Sequence, residues 1–170
     1  MQLVIPSLQH ESSFRTFYND FAERDAVNAP YYQPGIADFS GYIATIAAQM
    51  RGEQLAEGQV PCHHFWLLDQ QQLLGAIRVR HHIDTPYLSW EGGHIGYDVA
   101  PSQRQKGYGK RLLQLALPEA KRLGLTRVLL VAEESNRASR AVIEANGGVL
   151  EASIVGLDDP TPLVRYWIAL

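Results

Sequence analysis

A single cysteine, Cys62, stands in the 170 residues, so no intrachain disulfide can form, which fits a reducing compartment. Charge is scarce as well: 15 Lys and Arg against 18 Asp and Glu leave a formal net charge of −3. That balance gives no general electrostatic reason to bind nucleic acid or an anionic membrane. No stretch approaches the roughly 18 uninterrupted apolar residues of a membrane span. Met1–Ser7 has neither the basic region nor the long apolar run of a secretory signal. Repeats and low-complexity tracts are missing too. A cytoplasmic protein is expected. What the chain does have is an ordinary globular share of apolar residues, 46%, and a length that suits one domain over residues 1–170.

Taken in order, Gln2–Ile5 reads as a strand, and Ser7 can cap a helix running to about Glu23. Phe14, Phe17, Tyr18 and Phe21 form its apolar face. Residues 24–37, with two prolines and a glycine, read as a long loop. A second helix follows, with Phe39, Tyr42, Ile43, Ile46 and Met50 on one face. His64–Asp69 and Leu73–Ile83 predict a hairpin about Gln70-Gln71-Gln72, and Gly93–Val99 a further strand. The helix of residues 107–123 contains Pro118, which should kink it or end it early. Thr126–Ala132 reads as a buried strand. Ser135 or Asn136 opens a helix with Ala138, Ala141, Val142 and Ala145 inward, and Gly147-Gly148 closes it. Val149–Val155 and Leu163–Ala169 are the last strands. The order is β-α-α-β-β-β-α-β-α-β-β.

The chain is organised around the turn from the fourth strand into the third helix, Val99-Ala-Pro-Ser-Gln-Arg-Gln-Lys-Gly-Tyr-Gly-Lys110. Its glycines, Gly107 and Gly109, let backbone approach a ligand with no Cβ between. The first N–H groups of the helix lack intrahelical partners and lie at the positive end of its dipole, a place that binds phosphate. A Walker loop is excluded, because Arg104 stands where its first glycine belongs and Arg111 replaces its hydroxyl. A dinucleotide fingerprint is excluded by Leu112 at its third glycine.

What remains, Arg104-x-x-Gly107-x-Gly109, resembles the pyrophosphate loop of the GNAT superfamily of acyl-CoA-dependent N-acetyltransferases. The element order is that of the family, and Glu134-Ser-Asn136-x-x-Ser139 before Gly147-Gly148 resembles its second cofactor element. The resemblance covers most of the chain and is strongest over residues 94–148. It implies an α/β fold of one domain, with a mixed central sheet of about seven strands, helices on both faces and a splay between the fourth and fifth strands. It also implies acetyl-CoA as co-substrate and a primary amine, on a small molecule, peptide or protein, as acceptor.

Residue by residue, the resemblance gives the pyrophosphate to backbone N–H groups of Arg104, Gln105, Lys106, Gly107, Tyr108, Gly109 and Lys110, with charge from Arg104, Lys106 and Lys110. The pantetheine amides would pair with backbone of Tyr97, Asp98 and Val99 like an added strand, and Pro101 is consistent with the fourth strand stopping there. Asn136, with Ser139 beside it, would contact the pantetheine arm; Asn136 reads equally as a helix cap. Catalysis needs a neutral amine, a stabilised oxyanion and a protonated leaving thiolate. The tyrosine that many family members place seven residues after the asparagine is Ile143 here, which leaves Tyr97, Tyr108 and Tyr166 as candidate acids. His94 and Glu91 are the candidate bases, and His94 reads equally as a hydrogen-bonded histidine of the sheet.

No metal is expected: His63-His64 and His81-His82 point alternately to opposite faces of their strands, and no Cys or carboxylate joins them at ligand spacing. Cys62 has no pattern of a nucleophile around it, and Asp158-Asp159 reads as a solvated turn. Direct attack of the amine in a ternary complex is therefore the expected chemistry. A non-catalytic acyl-CoA-binding module is the alternative that Ile143 raises, and a longer acyl donor a third. A homodimer is left open.

Overall fold

The computed structural model describes residues 1–170. Its strands are β1 (Gln2–Val4), β2 (Cys62–Asp69), β3 (Gln72–Arg80), β4 (Ile95–Val99), β5 (Arg127–Glu133), β6 (Val149–Val155) and β7 (Pro162–Ala169). Two antiparallel sheets result, in the orders β1-β2-β3-β4 and β5-β7-β6. In the β2–β3 hairpin Asp69 lies opposite Gln72, so Gln70-Gln71 alone make the turn, with Gln70 at φ 54. The expected parting of the fourth and fifth strands is present. Between β5 and the segment of His94 through β4 a single backbone bond forms, from His94 N–H to Leu129 O at 2.8 Å.

The helices are α1 (Glu11–Arg24), α2 (Gln33–Ala37), α3 (Phe39–Arg51), α4 (Tyr108–Arg122) and α5 (Arg137–Glu144). They cover both faces, because the period-two pattern of the strands feeds two cores. Trp66, Leu68 and Ala76 pack with Phe14, Phe17, Phe21, Tyr32 and Phe39 from α1 to α3. Their sequence neighbours Phe65, Leu67, Ile77 and Val79 pack with Leu112, Leu113, Ala116, Ala120 and Ile143 of α4 and α5.

Three expectations change. The long loop of residues 24–37 contains a 3₁₀ turn, Ala29–Tyr32, and the helix α2. Pro30 and Pro34 suggested a loop, yet each sits in a first turn, where its missing N–H has no intrahelical partner to lose. Pro118 does not end α4, which runs on to Arg122. Both Pro118 and Gln114, whose carbonyl loses its N–H partner, are solvent-exposed, so water can serve that carbonyl. In α5 the inward residues are Val142 and Ile143, while Ala138, Ala141 and Ala145 face solvent. Exposing a methyl costs little, so the larger side chains decide which face turns in.

Candidate active site

The gap between the sheets starts at Gly93-His94. Gly93 is buried at φ 63, and a Cβ there would stand 2.7 Å from Leu129 O, so only glycine permits this approach. His94, 6% exposed, then bridges the two sheets twice. Its N–H donates to Leu129 O, and its Nδ1 accepts the N–H of Leu129 at 2.9 Å. An imidazole thus stands where a β4 carbonyl would otherwise continue the ladder. With Nδ1 accepting, the neutral ring carries its proton on Nε2. Burial, followed by the charges of Arg80 and Arg127, pushes the His94 pKa down to about 4.

Beyond His94 the edge of β4 is open. Arg80 N–H donates to His94 O and Ala100 N–H to Leu74 O, and the register pairs Arg78 with Gly96 and Ala76 with Asp98. Backbone polar groups alternate sides in an antiparallel ladder, so the even-numbered residues of β4 turn theirs to β3. Those of Ile95, Tyr97 and Val99 face the gap. An extended ligand lying there meets Tyr97 and Val99, whereas the backbone of Asp98 is already used by β3.

The gap leads to the turn before α4. Gln105 (φ 62) and Gly107 (φ 83) are both left-handed, and α4 has no side-chain cap. None of the backbone N–H groups from Gln105 to Lys110 finds an acceptor in the protein. Successive N–H groups in such a turn, at a helix start, make a concavity for anions. The two glycines differ in role. A Cβ on Gly107 would meet nothing, so its left-handed φ is what requires glycine. A Cβ on Gly109 would meet Val142 Cγ2 at 3.3 Å and Val99 Cγ2 at 3.6 Å, so Gly109 lets α4 close onto α5 and β4.

The charged side chains of the turn are largely engaged. Arg104 Nη2 donates to Asp25 Oδ2 at 2.6 Å, and Arg104 Nε donates to Val99 O at 3.2 Å, which ties the turn to the end of α1. The same contact holds the Asp25 carboxyl below its ordinary pKa. Lys106 Nζ donates to Gln103 Oε1, and Lys110 is solvent-exposed. Across the gap, Asn136 Oδ1 accepts Ser139 N–H at 3.0 Å as the α5 cap, leaving its Nδ2 free as a donor. Tyr97 Oη lies 3.0 Å from Ser139 Oγ and so spans the gap from β4 to α5. Tyr166 Oη donates to Glu144 and accepts from Arg140, within its own sheet and α5. Ile143 is 1% exposed and belongs to the core.

Glu91 lies in a π-helical turn, Leu88–Gly92, clamped from both sides. Arg80 donates to the carbonyls of Gly92 and Gly93, Trp90 Nε1 to Val155 O, and Arg165 to Ser89 O and Trp90 O. Glu91 Oε2 itself accepts Leu157 N–H at 3.2 Å, holding the β6–β7 connection.

Sequence reading missed a cleft on the opposite face of β2–β3–β4 from α4. It measures about 210 Å³ and opens among Tyr31, Gln49, Gln59, His64, Arg78 and Arg80. An adjoining cavity of about 540 Å³ is bordered by Tyr31, Tyr42, Thr45, Ile46 and Asp38. Burial and then the nearby arginines bring the His64 pKa down to about 3, and burial pushes the Cys62 thiol up to about 11. The alternation of Arg78 and Arg80 with Ile77 and Val79 marked this face as polar, but only the folded loops enclose it.

A family profile described as Acetyltransferase (GNAT) family matches residues 18–147. No curated protein matches the sequence. Among solved structures, RimJ of Mycobacterium smegmatis in complex with CoA-disulfide is 15% identical, with TM-score 0.71 over 98% of this chain and 80% of that one. The microcin C7 self-immunity acetyltransferase MccE, in complex with acetyl-CoA and AMP, is 15% identical, with TM-score 0.70 over 99% and 91%. The spermidine N-acetyltransferase SpeG of Vibrio cholerae is 18% identical, with TM-score 0.59 over 99% and 95%.

Proposed function

The chain belongs to the GNAT acetyltransferase family, and from that premise we propose that it transfers the acetyl group of acetyl-CoA to a primary amine by direct attack in a ternary complex. One observation carries the reading: the open edge of β4 runs straight into the unpaired N–H groups of Gln105 to Lys110. That path suits a ligand with an amide-bearing arm and a pyrophosphate. Tyr97 and Val99 pair with the pantetheine amides, and the turn takes the pyrophosphate through its backbone. Asn136 Nδ2 reaches the arm from α5. Asp98 has no part in this, since its backbone serves β3 and its carboxylate is shared by Tyr32 and Arg78.

His94 is the hinge of the gap rather than the base, because its Nδ1 lone pair is taken and its Nε2 bears the proton. Glu91 is committed to the β6–β7 connection. His64 is too weak a base to hold a proton near neutrality. The enzyme therefore draws the neutral fraction of its amine from solution, and water takes the second proton. Tyr97 protonates the departing thiolate: it stands at the gap with Ser139, in a region that Ile143 fills with core.

Calorimetric titration with acetyl-CoA, followed by a thiol-release screen over amines, tests the reading. Binding at micromolar concentration and turnover on at least one amine are expected. No binding at millimolar concentration contradicts it, and binding without turnover on any amine or peptide N-terminus favours a non-catalytic module.

A further inference from the structure

The cleft beside β4 has a charge that bears on the acceptor. Its lining includes Arg78 and Arg80 and no Asp or Glu. The carboxylate paired with Arg78, Asp98, accepts from Tyr32 Oη at 2.7 Å and from Arg78 Nη2 at 2.9 Å through the same oxygen. Arg80 directs one nitrogen, NH1, at the Gly92 and Gly93 carbonyls. No buried side-chain nitrogen or oxygen lacks a hydrogen-bond partner, so Nε and Nη1 of Arg78 and Nε and Nη2 of Arg80, which have none within the protein, reach accessible space. Arg78 is held in place: its guanidinium lies under the Tyr31 ring, 4.4 Å from the centroid, and over Gly96, where an added Cβ would come within 3.3 Å of NH2. A fixed, half-spent arginine in a cleft without free carboxylates is a receptor for a planar anion.

The position sets the ligand's length. Gly96 belongs to β4, and the far edge of β4 borders the gap. From the Arg78 guanidinium to the gap is then about one strand spacing, roughly 5 Å. Resting on the acetyl-transfer reading above, we propose that the acceptor is a small amine with a carboxylate a few bonds away, an α- or β-amino acid. Its carboxylate is received by Arg78 and Arg80, and its amine reaches past Gly96 to the gap. The side chain of such a molecule extends into the adjoining cavity under Tyr42 and Ile46. Polycations are disfavoured, because the cleft offers them two arginines, and the one carboxylate bordering the adjoining cavity, Asp38, caps α3 by accepting Gly41 N–H.

The test is acetyl transfer by the wild-type protein to leucine, phenylalanine and β-alanine beside their carboxamides, with aminoalkylphosphonates, spermidine and an aminoglycoside in the same panel. Rates are expressed per unprotonated amine, since the carboxylate raises the amine's own pKa. The carboxylates should exceed their carboxamides by about tenfold to hundredfold in kcat/KM, mostly through KM. Arg78→Lys should keep part of that preference and Arg78→Met none, while acetyl-CoA affinity stays within threefold in both as the sign that the fold persists. Carboxamides or spermidine equal to or better than the carboxylates overturn the inference, as does a tenfold preference for the phosphonate. If nothing in the panel turns over, calorimetry of leucine into the protein–CoA complex decides, and no heat at millimolar leucine overturns it. Absent acetyl-CoA binding would instead strike the premise, so the two failures are separable.

Discussion

His94 puts a ring nitrogen where a peptide carbonyl would stand, and that exchange is the smallest event that opens the gap. Nothing local announces it, because Leu129 lies 35 residues away and the sequence shows only a histidine before a strand. His94→Leu leaves the buried Leu129 N–H unpaired and should cost about 1–3 kcal/mol in chemical denaturation, whereas His94→Asn, which keeps an acceptor, should cost less. Folding also lowers the His94 pKa from 6.5 to about 4, so the unfolded chain binds a proton first as pH falls. Stability is therefore greatest above about pH 6.5 and falls as pH drops toward 4. Denaturation midpoints measured across that window should flatten in His94→Asn, leaving the part due to His64, His10, His63 and His81, whose pKa values are also depressed. The pH profile of kcat/KM should keep its shape in His94→Asn and follow the acceptor amine. Tyr97→Phe should lower kcat by about tenfold or more while acetyl-CoA affinity stays within threefold; an unchanged kcat removes Tyr97 as the acid.

At the scale of elements, α4 and its preceding turn were the most legible part of the chain, because phosphate-binding turns are written locally in glycine spacing. What the spacing did not tell apart is that Gly107 answers to backbone conformation and Gly109 to packing against Val142. The two should fail differently. Gly107→Val should weaken CoA binding through the backbone, with no second substitution nearby to relieve it. Gly109→Ala should weaken it through the Val142 contact, and Val142→Ala should restore most of the loss; additive losses in that double-mutant cycle contradict the packing role. The misread elements fail for related reasons. In α2 proline as a residue type points to a loop, while its place in a first turn permits a helix, and in α5 spacing alone does not separate alanines from heavier neighbours. Arg104 was expected near phosphate, but a carboxylate 79 residues earlier claims it.

Over the whole molecule, the order of elements along the chain followed from alternation and helical periodicity, each a local pattern, while the helices on both faces and the splay came from the resemblance to the GNAT family. The cleft of Arg78 and Arg80 did not, because its walls come from the Ala29–Tyr32 turn, α3, the loop before β2, β2, β3 and the turn before β4, which meet only in the fold. The two sheets hinge at His94 and part beyond it, and acetyl-CoA is proposed to lie in that parting. Amide hydrogen exchange with and without acetyl-CoA reads it directly. Slowed exchange is expected at Tyr97, Val99 and Gln105 to Lys110, whose N–H groups have no acceptor within the protein, while Gly96 and Asp98, already paired with β3, should change little. Saturating acetyl-CoA that leaves Tyr97, Val99 and the turn as fast as before would contradict it.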